Sequence, residues 1–100
     1  MKTYTGEWQE MGGCEVLVNG LPLNPRNDLY DHSPDGMRWS YGGSGCAQLA
    51  LAILADLYDD KLAMRLHQPF KWLTIANFPK EDFKMTEEQV RKVVKQIQDE

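Results

Sequence analysis

The segment Gly42-Gly43-Ser44-Gly45 has the composition of a turn that could bind an anion. It precedes an apolar run that begins at Cys46, and backbone amides at a helix N-terminus carry partial positive charge that suits a phosphate or carboxylate. The lysine of a P-loop and the spacing of a dinucleotide-binding turn are both missing. The favoured interpretation is therefore a tight strand-to-helix connection. The alternative is a small-ligand site for a phosphate or nucleotide, formed by Gly43, Ser44, Gly45 and Gln48.

Two cysteines and two histidines, Cys14, Cys46, His32 and His67, are the residues that could support thiol or zinc chemistry. Cys46 would open a helix, where the pKa of a thiol tends to fall, and a nearby histidine would make it a nucleophile. No catalytic signature surrounds it, however, and none of these residues are spaced as C-x-x-C or H-x-x-x-H. We therefore expect no catalytic residue, no metal site and no cofactor, with Cys14 in the core.

Three aspartates, Asp28, Asp31 and Asp35, crowd the segment 24–36 together with His32. Carboxylates could bind a divalent cation, but their order does not match that of a calcium loop. Ordinary polar loop contacts are the favoured interpretation.

A recognition surface is indicated by His67, Lys71 and Trp72. An exposed tryptophan beside a lysine often marks a protein-interaction site. The alternative is that Trp72 covers the sheet or the last helix, and the sequence does not decide between the two.

The composition predicts one domain spanning residues 1–100, with a strand and turn half at 1–41 and a helical half at 42–100. A net charge of −4 and a pI of about 5.1 argue against a general nucleic-acid binder. The N-terminus has no apolar leader, and no run approaches the roughly 20 apolar residues of a membrane span. We expect a cytoplasmic protein with reduced thiols that is a monomer or a weak homodimer.

The pattern of the N-terminal half predicts strands. Alternation predicts strands around Tyr4–Trp8, at Cys14–Val18 and at Met37–Tyr41. Asn19-Gly20 predicts a type I′ hairpin, and Leu21–Leu23 would return as an edge strand because Pro22 cannot donate to a ladder.

The pattern of the C-terminal half predicts helices. Ser44 is the predicted N-cap of a buried helix at Cys46–Tyr58, and Asp59-Asp60 can cap the next one. Pro69 predicts either two segments, 61–67 and 69–77, or one kinked helix. Thr86-Glu87-Glu88-Gln89 is a capping box that begins a final helix, and Met85 and Val90 are placed as its hydrophobic staple. The apolar stripe of this helix is formed by Val90, Val93, Val94 and Ile97.

This order predicts an α+β fold, in which a small antiparallel N-terminal sheet of about three to four strands packs against a buried central helix and two to three further helices.

Several segments together resemble a small bacterial and phage-associated family of unknown function. Tyr41–Leu51 matches its core Y-G-G-S-G-x-A-Q-L-A-L, Gln68–Lys71 matches Q-x-F-K, and Tyr4-Thr5-Gly6 matches Y-x-G. The resemblance implies an intracellular protein, often carried on mobile elements, and brings no known activity. Similar members often have proline where Cys46 stands, which suits a first helical position and argues against a nucleophile.

The sequence thus favours a non-enzymatic protein-interaction module, a phage or prophage accessory protein whose protein partner is unknown. The alternative is the small-ligand site at the glycine-rich turn.

Overall fold

A computed structural model of the chain describes residues 1–99. The elements are β1 (Thr3–Glu7), β2 (Glu15–Val18), β3 (Leu21–Pro22), α1 (Ser44–Leu57), α2 (Asp60–Leu73), a 3₁₀ helix (Ile75–Asn77), β4 (Phe83–Thr86) and α3 (Glu87–Gln98). The four strands form one antiparallel sheet in the order β3-β2-β1-β4, which shares a core with the helices. The predicted α+β class is confirmed.

The hairpin between β2 and β3 has the predicted turn. Asn19 and Gly20 have φ values of 50° and 82°, the positive values that a type I′ turn requires, and Val18 pairs with Leu21 across it. Pro22 lies in β3, at the edge of the sheet, where its missing N–H is tolerated.

The predicted strand at Met37–Tyr41 is wrong, and the fourth strand is Phe83–Thr86, which pairs with β1. Ser40 has a φ of 82°, which interrupts an extended chain. The amides of Arg38 and Ser40 donate to the carbonyls of Gly45 and Ile75 instead of to a strand. Trp39 is still buried, as its alternation predicted, because its ring packs edge-on against Phe83 at 4.8 Å between centroids.

Helix α1 lies at the centre of the core. Every residue from Gly45 to Leu54 is buried, as expected for a short helix that is apolar on all sides. The predicted N-cap is off by one residue, since Gly43 is the N-cap and Ser44 is the first helical residue. Glycine is accepted at this position without a capping side chain.

Helix α2 is one element that contains Pro69, so of the two alternatives the split into segments is wrong. Pro69 has no N–H to donate to the carbonyl oxygen of Arg65. Both residues are exposed, so water can donate to that oxygen instead. Asp59 is the N-cap, and its Oδ1 accepts from Leu62 N at 2.8 Å, as its position predicted.

Helix α3 begins with the predicted capping box of Thr86 and Gln89. Met85 and Val90 on either side are both buried, which fits the predicted staple. Val90 and Val94 face the core, and Val93 and Ile97 are partly buried against it. Within residues 1–99, no helix has the length and apolar character to cross a membrane.

Candidate functional site

The glycine-rich turn lies directly beneath Trp72. A Cβ atom on Gly42 would overlap the Trp72 ring, and one on Gly43 would overlap the Tyr41 ring. These two glycines are therefore needed so that aromatic side chains can lie on the backbone. Trp72 is still 59% exposed and Tyr41 is 46% exposed. We call the exposed residues Tyr41 and Trp72 the tryptophan face.

Lys71 supplies the cation that the sequence of the turn lacks. Its side chain is only 5% exposed, and its Nζ donates to the carbonyl oxygen of Gly42 at 3.2 Å. The same Nζ lies 4.4 Å from the centroid of the Trp72 ring. Within residues 1–99 this ammonium forms no ion pair. It thus lies at the positive end of the α1 dipole without a counter-ion, an arrangement that favours a nearby anion.

Sequence reasoning missed this link because Lys71 is 29 positions from Gly42. The Q-x-F-K segment contained the signal, but nothing local to the sequence joins it to the turn. The structure therefore unites two sets of residues that the sequence kept apart, the turn residues and the pair Lys71 and Trp72.

Cys46 is fully buried behind the turn. Burial raises the pKa of its thiol, although the backbone amides of Tyr41 and Gly43 and the charges of Lys71 and Arg38 act in the opposite direction. The helix N-terminus therefore does not activate this thiol, and the geometry gives no support to a nucleophile here.

Gln48 faces away from the turn, towards the loop of residues 24–36. Its Oε1 accepts from the amides of His32 and Ser33 at 2.8 and 3.2 Å, and its Nε2 donates to Pro25 O at 2.6 Å. The side chain is fully buried. Gln48 thus holds the loop on α1, and it does not join Gly43, Ser44 and Gly45 around a shared space.

His67 is also buried, at 5% exposed, and its Nε2 lies 2.9 Å from Nε2 of His32. The two histidines meet, but Cys14 lies elsewhere, with its Sγ 3.4 Å from the amide of Gln9. Among residues 1–99, no three metal-ligating side chains converge.

Two of the three aspartates of the loop, Asp28 and Asp31, have partners within the loop. Arg26 Nε lies 3.0 Å from Asp28 and its Nη1 lies 3.0 Å from Asp60, so this guanidinium ties the loop to the start of α2. The hydrogen bond from Arg26 is the main reason why the pKa of Asp28 lies below its usual value. Asp31 accepts from Asn27 Nδ2 at 2.8 Å.

A groove of about 380 Å³ opens where α2, the 3₁₀ helix, β4 and α3 meet. Leu73, which is 43% exposed, lines this groove and directly follows Trp72 in α2. The apolar lining is flanked by two lysines and by amide side chains. Its residues are Leu73, Thr74, Asn77, Phe78, Lys84, Met85, Gln89, Lys92 and Val93.

The fold and these surfaces define a small α+β protein with a glycine-rich turn packed under an exposed tryptophan. A family of unknown function, DUF6166, matches residues 4–96, and the chain belongs to this family. Comparisons with curated proteins and with solved structures find no match.

Proposed function

We propose that the protein is a non-enzymatic protein-interaction module that binds a short acidic and apolar segment of a partner protein. The observation that carries this proposal is the exposure of Trp72 and Leu73, consecutive residues at the end of α2 that are 59% and 43% exposed. Adjacent large apolar side chains in water are typical of recognition surfaces.

Trp72 is exposed and also held in place. Its ring rests on Gly42 and lies beside the ammonium of Lys71, and its carbonyl oxygen accepts from Asn77 Nδ2 at 2.9 Å. A side chain that is already ordered loses little conformational entropy on binding. This rigidity supports Trp72 as the anchor of the interface.

The chemistry of the partner follows from the groove beside Leu73. Its lining is apolar, and Lys84 and Lys92 flank it although the chain as a whole has a net charge of −4. Complementary charge favours a segment in which Asp or Glu alternates with large apolar residues. The resemblance to phage-associated proteins would make that partner a host protein met in the cytoplasm.

A displayed library of random 12-residue peptides tests this proposal, with selected peptides then measured by fluorescence anisotropy. We expect acidic and apolar sequences whose affinity falls about tenfold or more in Trp72→Ala, as for a central anchor residue. Lys84→Glu combined with Lys92→Glu should weaken the same peptides.

Tyr30→Ala is the matched control, since Tyr30 is an aromatic side chain that is 52% exposed outside the groove and the tryptophan face. This variant should bind the selected peptides normally. A library that yields no peptide, or peptides that bind Trp72→Ala as well as the native chain, would contradict the proposal.

A second candidate function is binding of a phosphate-bearing small ligand at Gly43, Ser44 and Gly45. It is favoured by one observation, the buried ammonium of Lys71 beside the α1 N-terminus without a counter-ion among residues 1–99. Helix amides and a lysine together are the usual means of holding a phosphate.

Thermal unfolding with inorganic phosphate or ATP tests this candidate. A ligand at a hundred times its dissociation constant stabilises a protein by about 2.7 kcal/mol, which is a readily measured shift. The shift should disappear in Lys71→Met and persist in Lys61→Met, whose side chain is exposed on α2. If neither anion shifts the native chain more than sodium chloride of equal ionic strength does, this candidate fails.

A further inference from the structure

Two imidazoles meet where the loop of residues 24–36 lies against α2. The Nε2 atoms of His32 and His67 are 2.9 Å apart, and the Tyr30 ring stacks on His32 with centroids separated by 4.2 Å. His67 is buried and His32 is partly buried. This contact lies next to the hydrogen bonds by which Gln48 holds the loop on α1.

The protons of this pair follow from the surroundings of His67. Its Nδ1 lies 3.0 Å from the carbonyl oxygens of both Ala63 and Met64, and since those oxygens only accept, Nδ1 must carry a hydrogen. Neutral His67 then has its lone pair on Nε2, which accepts from His32 Nε2–H. When the neutral pair gains one proton, on Nδ1 of His32, the hydrogen bond between the two Nε2 atoms stays intact. A second proton, on Nε2 of His67, destroys it, because both Nε2 atoms then carry hydrogens that face each other.

Positive charge is costly at this contact. Burial, His67 and Lys71 together lower the pKa of His32, and Asp31, which is exposed, acts in the opposite direction. The Tyr30 ring is neutral, and the side chain that α1 contributes, Gln48, is uncharged. Protonating both imidazoles would therefore bring three cations together, with one exposed carboxylate to oppose them.

We propose that His32 and His67 form an acid-sensitive latch, which holds the loop on α2 while the two Nε2 atoms share one hydrogen and releases the His32 end when both imidazoles are protonated. Release breaks the bonds from His32 N and Ser33 N to Gln48 and admits water to this side chain. The ion pair between Arg26 and Asp60, at 3.0 Å, lies at the other end of the loop. The loop therefore stays attached there and closes again when the acid is neutralised.

Amide hydrogen exchange on the whole chain tests the latch. Between about pH 7.5 and about pH 5, the protection factors of His32 and Ser33 should fall by about tenfold or more, since coupling to one proton changes the opening constant about tenfold for each pH unit below the ordinary imidazole pKa of about 6.5. The amide of Val94 in α3 should keep its protection, which separates local opening from global unfolding.

The matched variant is His32→Gln, which removes one of the two imidazoles and keeps the backbone amide that binds Gln48. Its Ser33 protection should not depend on pH in this range. ¹⁵N NMR of the native chain near neutral pH should show His67 protonated at Nδ1.

Three results would each overturn the latch. They are equal protection of Ser33 at the two pH values in the native chain, the same acid-induced loss in His32→Gln, and a neutral His67 protonated at Nε2.

Discussion

Gln48 on α1 and Lys71 on α2 are both buried polar side chains, but their surroundings differ. Gln48 makes three hydrogen bonds to backbone groups of one loop. Lys71 donates to a single carbonyl oxygen and has no counter-ion among residues 1–99. A buried group whose partners are all internal serves the fold, whereas a buried charge left with spare donors is suited to a ligand. The contacts of Gln48 therefore stabilise the loop, and the spare donors of Lys71 are the basis of the anion site that we propose as the second candidate function.

The largest effect should come from Gln48→Leu. The substitution keeps the volume but leaves Pro25 O and the amides of His32 and Ser33 without partners, so we expect a loss of about 3 kcal/mol in the free energy of unfolding. Urea denaturation measures it. Gln96→Leu, at an exposed position of α3, should change stability by no more than about 0.5 kcal/mol. Similar small losses in both variants would break the comparison.

The next largest effect should come from Gly42→Ala, which forces a methyl group into the Trp72 ring. We expect about 2 kcal/mol of destabilisation, as for other overpacked sites. Most of this loss should disappear when Trp72→Ala is already present, and a double-mutant cycle in urea measures that coupling. Strictly additive losses would mean that the tryptophan does not hold the turn.

A smaller effect is expected for Lys71→Met. The lost hydrogen bond and cation–π contact are offset because a charge no longer needs to be buried, so stability should stay within about 1 kcal/mol of the native chain. Thermal or urea unfolding would measure it. A loss as large as that of Gln48→Leu would assign Lys71 to the fold and remove the contrast between the two side chains.

The smallest effect should be the pH dependence that His32 contributes. Because its pKa in the folded chain lies below the ordinary value of 6.5, its contribution is complete above pH 6.5 and declines as the pH falls from there towards the lowered pKa. Urea midpoints measured across this range should decrease in acid, and by less in His32→Gln. An equal decrease in both chains would assign the acid sensitivity to other groups.

Local signals predicted most of the local features correctly, the exception being the N-cap of α1, which is Gly43 and not Ser44. The Asn19-Gly20 turn, the Asp59 cap and the capping box of Thr86 and Gln89 each depend on a few adjacent residues, and the structure confirms all three. The strand at Met37–Tyr41 failed because alternation reports which side chains are buried and not where the backbone hydrogen bonds go. Trp39 is buried there without any strand, and β4 was missed because Phe83–Thr86 is short and leads directly into α3.

The candidate site was predictable only in pieces. The turn and Trp72 could each be recognised by composition, and the resemblance to a family of unknown function agrees with the match over residues 4–96. The burial of His67 and Lys71 could not be predicted from the sequence, because polar side chains on a helix are usually exposed.

By itself, the sequence determined the α+β class, the buried α1 and the turns, since propensity, periodicity and capping act over a few neighbouring residues. Only the tertiary structure decided that Lys71 meets Gly42, that Gln48 holds the loop and that His32 meets His67. Each of these contacts joins residues between 15 and 35 positions apart, across separate elements. Such contacts follow from how the helices and the loop pack, which no short pattern in the chain records.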